Sequence, residues 1–286
     1  MVSTYSTENL SVIKRDYLKK VKLTEHFFNR TNPAPKSGLV YGRREVRELL
    51  GCSLHIERVL ALEQRQGSNL DDILNLAAAR GIPVRFLTKP ELDRLTARGV
   101  HQGIAAYYEL PVQPDLNEIL ADLASSSDHN LIILDGLEDP QNFGAVVRSA
   151  EVFGSRAVIY PRRRAVGLTP VVVKVSAGAA LRMPLIEVYN IAQILKTLKQ
   201  AGYWIYGLDP AGRTDLWTAD LSGKIGFVFG AEGRGLARLT KERCDFLISI
   251  KQVGRIGSLN VSASAAVTLA EWLRQRHQSA TLSTKQ

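Results

Sequence analysis

The chain has 286 residues, 45% of them hydrophobic and 23% charged, with a formal net charge of +9. This is length for about two ordinary globular domains, with no run of about 18 apolar residues to span a bilayer and no apolar core and cleavage site of a secretory signal near the start. Cys52 and Cys244 form no metal-ligand spacing, so the chain is expected to be a cytoplasmic protein with buried thiols and no metal, and its positive charge suits a polyanionic partner, above all nucleic acid.

Residues 1–36 carry seven Lys or Arg against three acids and run into "NRTNPAPKSG", a linker composition. They read as a basic N-terminal extension, equally an RNA contact or a solvated tail. Residues 37–112 form a small α/β unit: "EVRELLG" as a helix, "IERVLALE" as a strand, "NLDDILNLAAARG" as a helix stopped by Arg-Gly, "IPVRFL" as a strand, "KPELDRLTARG" as a helix and "QGIAAYYEL" as a strand. Residues 113–129 are a linker with one short helix and a Ser/Asp/Asn-rich break. Over 130–279 the apolar runs "LIILDG", "RAVIYP", "PLIEVY", "YWIYGLD", "IGFVFG" and "FLISI" are continuous rather than alternating, as strands buried on both faces of a parallel sheet require. Helical segments fall between or after them at 142–153, 190–201, 235–243 and 261–276, and 280–286 is a tail. The fold class is therefore α/β, with a parallel sheet preceded by a smaller α/β domain. The run "RRR" at 162–164, together with Lys174 and with no acid anywhere in 155–175, marks a second basic stretch that favours an RNA surface.

Three stretches carry possible chemistry. In "LDGLEDPQNFGAVVRSAEVFG", Asp139 and Pro140 make a helix start, with a capping carboxylate followed by a residue that has no N–H to lose. Asn142 then falls in the first turn, where backbone N–H groups are free. Arg148, four residues beyond Gly144, would lean back over the glycine toward the carboxyl edge of the sheet, where open α/β folds bind ligands; as a surface residue it would equally pair with a carboxylate. In "FVFGAEGRGLA", Gly230, Gly233 and Gly235 allow a tight turn, but the spacing is neither a dinucleotide fingerprint nor a phosphate-binding loop. Glu232 there would orient a basic group or simply be exposed. In "GSLNVSASAA", Ser258 and Asn260 stand at the start of the last helix as capping or ligand groups, and the small residues after them permit close backbone approach.

Taken together, "DPQNFGAVVRSAEVFG", "GAEGRGL" and "ISI…GSLNVSASAA" resemble the three motifs of the SpoU/TrmH family of SPOUT methyltransferases, and "HQGIAA" at 101–106 resembles the close of that family's L30e-like substrate-binding domain. Within the family the layout looks like that of the bacterial 23S rRNA guanosine-2'-O-methyltransferases. The resemblance implies a deep trefoil knot in the catalytic domain and a homodimer with each site near the partner chain. It also implies transfer of a methyl group from S-adenosylmethionine, without a metal, to a ribose 2'-hydroxyl of RNA, with rRNA as the first expectation. Carried over by position, Gly230, Ile250 and Leu259 would contact the methyl donor. Arg148 would clamp an RNA phosphate and stabilise the developing alkoxide, since a guanidinium keeps its proton and makes a poor general base. Asn142 would orient Arg148 or the ribose, Glu232 would hold the second loop, and Ser258 and Asn260 would fix the third loop and touch substrate. Lys251 and Gln252 stand where the family usually has Pro-Met, which makes that wall more polar. A tRNA guanosine-2'-O-methyltransferase and a non-catalytic RNA-binding protein of ribosome assembly are the alternatives.

Overall fold

A computed structural model describes residues 37–52, 54–63, 70–109, 111, 113–254 and 257–283. The basic extension expected over 1–36 lies outside the described residues, as does the end of the tail.

The first unit is a four-stranded sheet with helices. In chain order it comprises β1 (Ser37–Tyr41), α1 (Arg43–Gly51), β2 (Ile56–Leu62), α2 (Asp71–Ala79), β3 (Val84–Leu87), α3 (Lys89–Leu95) and β4 (Ile104–Glu109). The strand order is β1-β4-β2-β3. Only the β2–β3 pair is parallel, because α2 provides the crossover that parallel neighbours need. β1 is absent from the sequence reading: "SGLVY" follows directly on the proline-rich stretch, and its pairing with β4 is long-range.

After α4 (Leu116–Asp122), capped by Asp115, the second unit runs through β5 (His129–Asp135), α5 (Pro140–Val152), β6 (Val158–Pro161), α6 (Pro170–Val175), a 3-10 turn at Ala179–Leu181, β7 (Leu185–Val188), α7 (Ile191–Gln200) and β8 (Trp204–Leu208). It continues through β9 (Thr214–Asp215), β10 (Lys224–Gly230), α8 (Arg238–Arg243), β11 (Phe246–Ser249) and α9 (Val261–Ser283). The seven strands lie in the order β7-β6-β5-β10-β8-β11-β9, and every pairing is parallel. Both faces are covered, which is why the strands read as unbroken apolar runs. Ile132, Leu134, Phe227 and Phe229 pack with Phe143 and Val147 of α5 and with Ala265, Leu269 and Trp272 of α9. Leu131, Ile133, Val228 and Ile205 pack on the other face with Leu195 and Leu198 of α7 and with α4.

Two features of this arrangement position the site. Strands β6 and β7 extend the sheet on one side of β5, whereas β10 and β8 extend it on the other. The order therefore reverses between β5 and β10, and the loops leaving their carboxyl ends diverge to open a crevice. Second, the chain that leaves β8 and runs through β9 clasps β11: Asp209 donates its N–H to the Ile248 carbonyl at 3.0 Å and Leu216, just after β9, to the Ser249 carbonyl at 2.9 Å. Gly212 lies so close that a Cβ there would sit 2.6 Å from the Ile248 carbonyl carbon.

The two units are joined by polar contacts and by a shared apolar layer. The Lys174 ammonium stands 5.3 Å from the Tyr41 ring centroid. Arg182 pairs with Glu48 of α1 at 2.9 Å and with Glu151 of α5 at 3.4 Å.

At the amino edge of the sheet, His129 is buried, with Tyr203 Oη 2.6 Å from Nε2 and Ser126 Oγ 3.0 Å from Nδ1. Burial, followed by the positive charges of Lys224 and Arg156, lowers its pKa from 6.5 to about 4. An unfolded chain therefore takes up this proton at a higher pH than the folded one. The stability associated with neutral His129 is complete above about pH 6.5, declines as the pH falls toward about 4, and amounts to at most about 3 kcal/mol. Urea midpoints measured between those pH values are expected to fall for the native chain and to fall less for His129→Gln; parallel pH profiles would refute the assignment.

Candidate functional site

The crevice is built from three loops. The first follows β5, where Asp135 is paired in register with Gly230 of β10. Gly136 turns the chain with φ +87°. Asp139 then caps α5, its carboxylate accepting from the N–H groups of Gln141 at 3.2 Å and Asn142 at 3.0 Å. Pro140 occupies the first helical position, as the sequence predicts.

The second loop follows β10 and folds back on itself, with Ala231 and Gly235 exchanging backbone hydrogen bonds of 3.2 and 2.8 Å. This explains Gly230: any Cβ there would collide with the Gly235 carbonyl group. Gly233 and Gly235 have φ of +75° and +66°, a region that side chains other than glycine rarely adopt. Asp135, which sequence reasoning passed over, fastens this loop to the first by accepting from the Ala237 N–H at 2.8 Å.

The third loop runs from β11 to α9. Asn260 begins the helix: its Oδ1 accepts from the Ser262 N–H at 2.8 Å and the Ser262 hydroxyl at 2.6 Å. Its Nδ2 donates in the opposite direction, to Asn142 Oδ1 at 2.9 Å and to Glu232 Oε1 at 2.5 Å. One carboxamide thus caps α9 and ties all three loops into a node. Asn142 is buried there, while Glu232 and Asn260 remain exposed.

The remaining predicted residues stand around this node to different degrees. Ile250 is half-buried against the core, and Leu259 is 43% exposed. Ser258 is exposed, and among the described residues it takes no part in capping α9. Lys251 and Gln252 are both exposed.

Arg148 is not part of the node. It is exposed, and no hydrogen bond or ion pair of its side chain occurs among the described residues. Six residues separate it from Asn142, about 9 Å along the helix and roughly 120° around it. A contact in which Asn142 orients Arg148 within one chain is therefore not formed; Asn142 holds Asn260 instead. The space over Gly144 is also taken. A Cβ there would sit 2.8 Å from Val175 Cβ and 3.1 Å from the Val172 carbonyl oxygen, so this glycine serves the close packing of α5 against α6 and not the clearance of Arg148.

Chemically, the third loop carries apolar Ile250 at its start and Leu259 near its end, and the node where it joins α9 fixes a carboxylate and an amide group at Glu232 and Asn260. That combination suits a ligand with a flat apolar part and a cationic centre. Among the described residues no three His, Cys, Asp or Glu side chains are placed to hold a metal ion, and no helix is long and apolar enough to cross a membrane.

Substituting Asn260 separates its two functions. Asn260→Ala is expected to lower stability by about 1–2 kcal/mol through loss of the cap, measured by urea denaturation. Asn260→Ser is expected to restore most of that loss while leaving Asn142 and Glu232 unbridged, and so to remain defective in ligand binding at the crevice. Native ligand binding in Asn260→Ser would show that the bridge is dispensable.

Comparison with known proteins gives these observations a family context. The family described as "SpoU rRNA Methylase family" matches residues 129–270, and the domain described as "RNA 2'-O ribose methyltransferase substrate binding" matches residues 39–113. The chain is 43% identical over 225 residues to the 23S rRNA (guanosine-2'-O-)-methyltransferase RlmB of Xylella fastidiosa strain 9a5c, covering 78% of this chain and 90% of that one. It is 42% identical over 239 residues to the protein of the same name from Coxiella burnetii, covering 83% and 95%. The fold matches the crystal structure of the SpoU methyltransferase AviRb from Streptomyces viridochromogenes in complex with AdoMet. That match has a TM-score of 0.70 and 24% identity, over 84% of this chain and 90% of that one.

Proposed function

Because this chain belongs to the SpoU rRNA methylase family, we propose that it transfers the methyl group of S-adenosylmethionine to the 2'-hydroxyl of a guanosine in 23S ribosomal RNA. The observation that carries this reading is the node in which Asn260 bridges Asn142 and Glu232, so that all three family motifs meet at the switch point of the sheet. The residues present suit the methyl donor, which supplies an already activated sulfonium methyl when bound.

In this reading the backbone of Gly230 and Ile250 and the exposed face of Leu259 hold the donor. Glu232 and Asn260 keep the second and third loops at a fixed separation, and Ser258 faces the RNA. Holding the ribose hydroxyl in line at attack distance removes much of the barrier. The remaining demand is to stabilise charge as the hydroxyl loses its proton to the adjacent phosphate or to water, and Arg148 meets it by binding that phosphate and the developing alkoxide. Residues 37–112 hold the RNA, 113–129 link the units, and 130–279 carry out transfer.

The reading includes a homodimer, a trefoil knot and a cytoplasmic location. The clasp of 209–216 around the end of β11, followed by the return of α9 onto α5, supports the knot. The position of Arg148 supports the dimer: exposed and away from its own node, it serves the site of the partner subunit.

Two measurements test the proposal. Arg148→Ala is expected to lower methyl transfer to unmodified 23S rRNA by about 100-fold or more while leaving calorimetric binding of S-adenosylmethionine unchanged; full transfer would remove its role. Failure of the native chain to bind S-adenosylmethionine would favour a non-catalytic RNA-binding protein. Mixing Arg148→Ala with Glu232→Ala subunits is expected to restore transfer, since each mixed dimer has one site with both groups. No restoration would place Arg148 in the site of its own chain.

A further inference from the structure

We propose that Tyr189 and Arg162 form a stacking platform for an unpaired RNA base beside the methylated nucleotide, with Arg163 and Arg164 on the neighbouring phosphates. This deepens the reading given above and depends on it for the identity of the RNA.

The platform follows from strand register. β6 and β7 are parallel neighbours with Pro161 opposite Val188, so Arg162 and Tyr189 emerge side by side at the carboxyl edge. The backbone is pinned there, Arg162 N–H donating to the Val188 carbonyl at 2.8 Å. The Arg162 guanidinium lies 5.2 Å from the Tyr189 ring centroid and donates from Nη1 to the phenol oxygen at 2.6 Å. Glu187 lies 3.6 Å from Arg162 Nε and steadies its other side. The ring nevertheless remains 85% exposed, so Arg162 covers one face at most. A tyrosine so oriented and so little buried contributes little to the core. Its ring is held ready for a flat partner.

Two observations identify the partner as RNA. Arg163 and Arg164 are exposed, with no ion pair among the described residues, and no acid occurs between residues 155 and 175. Cations beside an aromatic face fit phosphates flanking a splayed base, the usual mode of single-stranded RNA recognition. The loop also adjoins the crevice. The point where a Gly136 Cβ would sit is 4.0 Å from the Arg164 carbonyl oxygen and 3.9 Å from Ala231 Cβ, so the basic loop passes close to the first site loop, which in turn lies beside the second. Val166 and Leu168 anchor its far end against the core. A base on Tyr189 thus belongs to a nucleotide near the one whose ribose enters the crevice.

The test measures fluorescence anisotropy of a labelled 12-nucleotide oligoadenylate with the full chain over a range of salt concentrations. Tyr189→Ala is expected to weaken binding about 5- to 150-fold, and Tyr189→Phe, which keeps the ring, to bind like the native chain. Arg163→Gln and Arg164→Gln are each expected to reduce the salt slope by about 1. Equal affinity of Tyr189→Ala and the native chain, including no binding by either, would overturn the platform. So would a change in sedimentation of Tyr189→Ala without a change in RNA affinity, which would make Tyr189 a contact between copies of the chain. Calorimetry with S-adenosylmethionine and methyl transfer to 23S rRNA are followed in parallel. RNA binding through Tyr189 by a chain that binds no methyl donor would leave the platform standing and overturn the methyltransferase reading.

Discussion

The parallel pairing of β5 with β10 is the constraint on which the remaining structure depends. Opposing Asp135 to Gly230 makes two loops leave the sheet side by side at the point where strand order reverses. Neither loop is free in conformation. Gly230 must lack a side chain because its own loop returns across it, and Asp135 secures that return through the Ala237 N–H. Changing the register by one residue would turn Ile132 and Leu134 toward α7, and Leu131 and Ile133 toward α9. The buried faces and the site geometry are therefore set by the same pairing.

The third loop reaches this point only because α9 crosses back over the sheet. Its anchorage is largely apolar, through Ala265, Leu269 and Trp272. A polar clamp is added by Gln275, which donates to the Ala219 carbonyl at 3.1 Å and accepts from the Leu221 N–H at 3.1 Å. Buried Glu271, hydrogen-bonded to Arg274 and Gln275, supports that clamp. With the helix fixed along its length, the Asn260 carboxamide at its start has a defined position and can bridge two loops while still capping the helix. Small residues suit this arrangement: Ala265 is fully buried where α9 meets the core, although Ala263 is exposed, so close approach explains only part of the run.

Much of the catalytic-domain sheet was legible because burial on both faces leaves a continuous apolar run, a local property of the sequence. The start of α5 was legible for the same reason, Asp139 and Pro140 being neighbours in the chain. Elements defined by distant partners were not. β9 is two residues held by β11. α6 reads as a β-branched run, "PVVVKV", and becomes helical through the Thr169 cap and packing on Gly144 of α5. At the site, the motifs select Asn142, Glu232 and Asn260, but nothing in their spacing shows that one carboxamide joins the other two across 118 and 28 residues. The function of Gly144 was misread because a glycine reports that space is filled, without reporting by what.

The distribution of cations around the crevice connects fold to function. A substrate made of phosphates is attracted by any exposed arginine, and such binding is strong, salt-dependent and indifferent to sequence. Selection of one ribose requires fixed geometry as well. Arg163 and Arg164 supply charge on an exposed loop, whereas Arg162 is restrained by Glu187 and Tyr189 into a defined arrangement beside an aromatic face. Arg148 differs from both. It is carried on α5, the helix of the first motif, without a partner among the described residues and roughly two turns from the Asn142 end. A rigid helix fixes where this side chain starts, but the exposed cation has nothing in its own node to act on. Under the proposed function such an arrangement would be productive where a second copy brings its crevice to that helix face, and it would make transfer contingent on assembly.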